Sequence, residues 1–101
     1  MHISVNGPRG AVDSRTRAYV EYRVFDALRS VEREIRQVDV ALSGQTMDVS
    51  RVVACTVILD FASGEQIEAT ATADWPYAAI DRAVKDAWRQ LPTRPREAMR
   101  A

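Results

Sequence analysis

Cysteine and histidine each occur once in these 101 residues, glycine and proline four times each, and the formal charges cancel to zero. The lone Cys55 excludes an internal disulfide and a cysteine zinc cluster. It stands in an apolar run, which reads as an inert buried thiol. His2 is isolated near the start, and no His, Cys and carboxylate set has metal-ligand spacing, so no metal is expected. There is no apolar run of bilayer-spanning length, and residues 1–4 lack the basic start and apolar stretch of a secretory leader. A cytoplasmic location and no membrane partner are therefore expected. A glycine-rich phosphate loop is absent as well, since Gly7-Pro8-Arg9-Gly10 reads as a turn. Asp60, Glu65 and Glu68 are close in sequence, yet no base or nucleophile joins them. An enzyme is the least supported class, and no cofactor is expected.

What is present is an ordered globular composition, 47% hydrophobic and 28% charged, of a size suited to one domain with a modest core. His2 to Asn6 alternates with Ile3 and Val5 on one side and predicts a short strand, followed by a turn-rich break. From Ser14, a plausible N-cap, Val20, Val24, Ala27, Leu28 and Val31 recur at helical spacing, which predicts a helix from about 15 to 34. Val38, Val40 and Leu42 alternate with Gln37, Asp39 and Ala41 in a second strand, and 43–50 reads as a polar loop. Residues 52–61 form a third strand with Cys55, Val57, Leu59 and Phe61 assigned to the core. Ala62-Ser63-Gly64-Glu65 reads as a hairpin turn, and 66–73 as a fourth strand whose alanines let a helix lie close.

The last helix is the most informative segment. Asp74 is expected to cap it, Pro76 suits its first turn, and Tyr77, Ile80, Val84, Ala87, Trp88 and Leu91 share one face until Pro92. Trp75 and Trp88 read as a helix start and a core anchor rather than a ligand platform. The order strand, helix, three strands, helix, with one apolar and one polar sheet face, predicts an α+β fold, β-α-β-β-β-α, a four-stranded sheet with two helices packed on one face. The first crossover is expected to be parallel. Residues 1–91 are expected to form the single domain and 92–101, with two prolines and several charges, a mobile tail.

Charge is unevenly spread: residues 14–36 carry net +2, 37–74 net −5 and 75–101 net +3. The helices thus hold the positive charge and the strands the negative. Arg15, Tyr22, Arg29 and Arg33 fall on the outward side of the first helix at spacings of seven, seven and four. On the second, Arg82, Lys85 and Arg89 follow at three and four. With both helices on one side of the sheet these rows predict a single basic surface for folded RNA, extended by Arg94 and Arg96, with Tyr22 placed to stack on an unpaired base. Spacing alone also fits an ordinary solvated helix surface, in which Asp81 with Lys85 and Arg82 with Asp86 form four-apart pairs.

Tyr77-Ala78-Ala79-Ile80-Asp81 followed by Arg89-Gln90-Leu91 resembles the last helix of the ribosome hibernation-promoting factor and ribosome-associated inhibitor family. Tyr19-Val20-Glu21 and Gln37-Val38-Asp39-Val40 with Leu42-Ser43 resemble its first helix and second strand, and Arg23 matches a basic position. The resemblance, over about Ile3 to Leu91, implies a double-stranded-RNA-binding-domain-like layout preceded by an extra strand. It also implies a non-enzymatic, cofactor-free translation inhibitor that binds the small ribosomal subunit (16S rRNA, decoding region) and blocks the tRNA and mRNA sites. Arg15, Tyr22, Arg23, Arg29, Arg33, Arg82, Lys85, Arg89, Arg94 and Arg96 are the expected RNA-binding residues. DNA is not an expected partner. Long members of the family add a dimerisation domain, whereas this chain is expected to be a short form, monomeric by default. The alternative keeps the fold as a protein-interaction or self-association module that uses Tyr22 and Phe25 or a free strand edge.

Overall fold

A computed structural model describes residues 1–8, 12–47 and 50–91. The chain runs β1 (His2–Asn6), α1 (Ser14–Leu28), a 3-10 segment (Arg29–Glu34), β2 (Ile35–Met47), β3 (Ser50–Phe61), β4 (Gln66–Ala73) and α2 (Pro76–Arg89). The four strands lie in the order β1-β2-β3-β4. β1 pairs parallel with β2, while β2–β3 and β3–β4 are antiparallel. The expected α+β architecture is present, with its parallel first crossover.

The register explains why one face is dry. Val38 pairs with Leu59, Val40 with Val57, Leu42 with Cys55, and Val57 in turn with Ala69, so all these side chains project to the same side. They are buried together with Val20, Val24 and Leu28 of α1 and Ala79, Ile80, Ala83, Val84 and Ala87 of α2. Three alanines at spacings of four give α2 a flat inner stripe that seats against β3 and β4. Cys55 is fully buried and free, and burial pushes its thiol from the ordinary 9.0 up to about 12.

Several local expectations are corrected. Asp13, not Ser14, caps α1: its backbone is extended and its carboxylate accepts the Thr16 N–H at 2.7 Å. The same bond holds the Asp13 carboxyl below its ordinary 3.8. Trp75, not Asp74, occupies the cap of α2 and makes no side-chain cap bond. Asp74 stands one residue too early, and Pro76 at the first turn has no N–H to satisfy. The α-helix ends at Leu28 instead of continuing to 34. The helical path breaks at Leu28 (φ −111, ψ 7) and again at Val31 (φ −120, ψ 16); Leu28 and Val31 are both buried, and Ile35 is already buried in β2.

Residues 43–47 continue β2 rather than forming a loop, and β3 begins at Ser50, with pairing maintained from Ser43↔Ala54 to Met47↔Ser50. Ladder hydrogen bonds between two backbones need no apolar side chains, which is why this extension escaped an alternation test. The 62–65 turn is as expected: Gly64 takes φ +98, its N–H donates to the Phe61 carbonyl, and the Phe61 N–H donates to Glu65. Gly7 is needed for a different reason, since a Cβ there would lie 2.6 Å from Val12 Cγ2 and 3.2 Å from the Leu42 carbonyl.

Candidate nucleic-acid interface

Helices α1 and α2 meet through a polar and aromatic latch. Tyr19 Oη donates to Asp81 Oδ1 at 2.7 Å, and Arg23 Nε donates to the same oxygen at 2.9 Å. The Tyr19 and Tyr77 rings stack at 4.2 Å with planes 9° apart, and Trp75 meets Tyr77 edge-on at 5.4 Å. Burial, then the bond to Asp81, pushes the Tyr19 phenol above its ordinary 10.0. The four-apart pairs expected on α2 do not form. Asp81 turns to α1, Arg82 donates to the Thr72 carbonyl at 3.0 Å, and Asp86 faces Arg89 at 3.9 Å. Cross-helix packing offers Asp81 two donors at once, which a flexible exposed lysine does not match.

The basic residues are brought to the helical side of the molecule but not into one row. Arg15, Arg29, Arg33, Arg82, Lys85 and Arg89 are exposed. Arg15, Arg29, Arg33 and Lys85 make no hydrogen bond or ion pair with another described residue. Arg33 leaves the row because it lies beyond the kink at Val31, whose φ −120 and ψ 16 are not helical, so helical spacing does not carry across from Arg29. Arg23 is held inward by Asp81. Tyr22, 63% exposed, turns toward β1, where it lines a groove with Met1, His2, Ile3, Glu21 and Phe25; Arg29 stands over the Phe25 ring at 5.9 Å. Arg82 sits at the opposite flank, on the edge of β4, where Gln90 also donates to the Glu68 carbonyl at 3.2 Å. Arg94 and Arg96 lie outside the described residues.

Between these flanks, Arg23, Ala27, Val84, Lys85 and Trp88 line a groove of about 210 Å³. Trp88 packs half-buried against the core, as an anchor, but also forms a wall of this groove. Its spacing of three from Lys85 was the available sign that the two share a side of α2. Sequence reasoning also passed over Arg17, whose side chain is exposed. Among the described residues no cluster of His, Cys, Asp or Glu is disposed to hold a metal ion, and no helix is long and apolar enough to cross a membrane.

A basic helical side on a β-α-β-β-β-α sheet defines a class of small α+β domains, and solved structures of that class superpose well. The N-terminal domain of Protein Y from Thermus thermophilus matches with a TM-score of 0.74 at 25% identity, covering 89% of this chain and 94% of that one. A ribosomal subunit interface protein from Coxiella burnetii matches in fold with a TM-score of 0.69 at 22% identity, covering 90% and 93%. Among curated proteins none matches the chain. The model of the family described as sigma 54 modulation protein / S30EA ribosomal protein matches residues 3–96, and the chain belongs to that family. The family is one of ribosome-binding factors, not enzymes.

Proposed function

We propose that this protein is a cytoplasmic ribosome hibernation factor that binds the small subunit at the 16S rRNA decoding region and blocks the tRNA and mRNA sites. The observation that carries the reading is the segregation of charge by face: the exposed cations of α1 and α2 lie on one side of a sheet whose β2 (from Gln37 to Gly44), β3 (from Val52 to Asp60) and β4 contribute no lysine or arginine. Arg15, Arg29, Arg82, Lys85 and Arg89 meet phosphates, Tyr22 meets an exposed base at the β1 flank, and Arg23 supports the centre. Arg33 and the tail residues Arg94 and Arg96 add contacts at the periphery. Family membership supports the ribosome as the target, and the exposed cations of the helical side support RNA as the surface met there.

Co-sedimentation with small subunits on sucrose gradients at low and high salt tests this. Salt-reversible migration with the subunit is expected, because phosphate contacts release counterions. Association that persists or tightens at high salt favours the second reading, an apolar protein interface. That reading rests on the exposed Tyr22 and Phe25 beside the β1 edge.

A further inference from the structure

The two edges of the sheet are finished differently. At β4 the chain closes its own edge, because the Thr72 carbonyl takes a donor from Arg82 at 3.0 Å and the Glu68 carbonyl takes one from Gln90 at 3.2 Å. At the other end β1 pairs with β2 alone, and among the described residues no side chain bonds to its backbone. An unpaired edge is a template for a further strand. Beside this edge α1 exposes Tyr22 to 63% and Phe25 to 47%, and the two border a groove of about 490 Å³ with Met1, His2, Ile3 and Glu21. Apolar surface and open backbone thus meet at one flank.

Charge narrows the occupant. Phe25 stands between opposite charges: Glu21 lies one turn before it in the same groove, and the Arg29 guanidinium carbon lies after it, 5.9 Å from the ring centre. Neither Glu21 nor Arg29 forms an ion pair with a described residue. Along α1 the order is therefore anion, ring, cation, and a partner laid antiparallel across Phe25 must offer cation, ring, anion. A second copy of α1 turned about a two-fold axis at Phe25 offers that order. The same axis sets the two β1 strands antiparallel, so both open edges find a partner. A net charge of zero leaves no overall repulsion between copies. A small ligand is served less well, since the polar side chains of the groove, His2, Glu21 and Tyr22, are exposed to water and fix no orientation.

We infer that two copies of this chain pair across a two-fold axis at the β1 edge, joining their sheets and seating Tyr22 and Phe25 of each against the other, with Glu21 facing the other copy's Arg29. This does not depend on the RNA reading. Pairing withdraws Tyr22 and Arg29 from the helical face, whereas Arg82, at the β4 flank, stays exposed.

The test is sedimentation equilibrium of the full chain from about 1 μM to about 1 mM, where a concentration-dependent dimer is expected. Glu21→Arg and Arg29→Glu both fall at exposed positions, and circular dichroism checks that each variant is folded. Each is expected to weaken pairing at least about tenfold, because either reversal sets like charges together twice across the axis. Mixed in equal amounts, the two variants are expected to pair with one another, since every charge contact is then again between opposite signs. A role confined to one chain would not produce that recovery. The inference is overturned by an unchanged chain that stays monomeric over the whole range, by dimers that neither reversal weakens, or by a mixture that stays monomeric.

Discussion

The two sides of this sheet are made from the same strands under opposite demands. On the helical side Val38, Val40, Val57 and Leu59 are covered to 1% exposure or less, and the surface presented to solvent belongs to α1 and α2, where the cations are. On the other side the alternate residues of the same strands are polar and only half-buried or exposed: Gln37 and Asp39 on β2, Thr56 bonded to Thr70 at 3.0 Å across β3 and β4, and Asp60 near Arg36 at 3.4 Å. A strand's period of two makes each residue choose a side, so charge placed on the strands cannot reach the helical surface. Negative charge on the strands and positive charge on the helices therefore become a division between faces, and a chain with net charge zero gains one face able to meet polyphosphate.

The sharpest way to break this comparison is to reverse one face at a time. Replacing Arg29, Arg82 and Arg89 together by Glu is expected to abolish ribosome co-sedimentation while the thermal transition is retained. Three carboxylates added to the open sheet face at Gln37, Thr56 and Thr70 are expected to leave association in place. Equal losses from both triples would show that the charge division does not decide binding.

Packing offers the next test. Ile80 is fully buried under α2 whereas Ile58 lies half-covered on the open face, so Ile80→Ala is expected to cost about 2–5 kcal/mol in urea unfolding and Ile58→Ala markedly less. Smaller effects come from protons held on the helical side. Cys55 ionises near 9.0 when unfolded but keeps its proton to about 12 when folded. Its stabilising contribution is thus complete below pH 9 and declines as pH rises through 9 toward 12; a Cys55→Val variant should lose that part of the decline. Tyr19 acts in the same direction from its ordinary 10.0 upward, and Tyr19→Phe is expected to cost about 0.5–1.5 kcal/mol near neutral pH by removing the bond to Asp81 while keeping the ring stack. The smallest change is in the salt dependence of RNA binding: Lys85→Ala should lower the log–log slope by roughly 0.7–0.9, and Glu68→Gln on the open face should leave it unaltered.

Much of the fold was legible because burial has a period. Alternation marked Val38 to Leu42 and Cys55 to Phe61, spacings of three and four marked Val20 to Leu28 and Ile80 to Leu91, and Gly64 marked the turn. The misses have equally definite causes. The outer parts of β2 and β3 continue the ladder beyond the alternating positions, the caps sit one residue from where side-chain preference placed them, and the helical path breaks at Val31. At the site, the individual basic residues were legible and their grouping was not. Asp81 is four residues from Lys85 along the chain but bonds Arg23, 58 residues away. Trp88 read as core, and the placement of α1 beside it makes it part of a groove lining as well.

The sequence by itself thus determined which side chains are inside, which face of each element carries charge, and how the net zero is divided, because these follow from the local periods of strand and helix. Tertiary structure alone decided which cations are spent on partners and which remain open, where Tyr22 and Arg82 part to opposite flanks, and that Arg23 and Trp88 line one groove. Those outcomes depend on how α1 and α2 pack across the sheet, a contact between residues some sixty positions apart that no local pattern encodes.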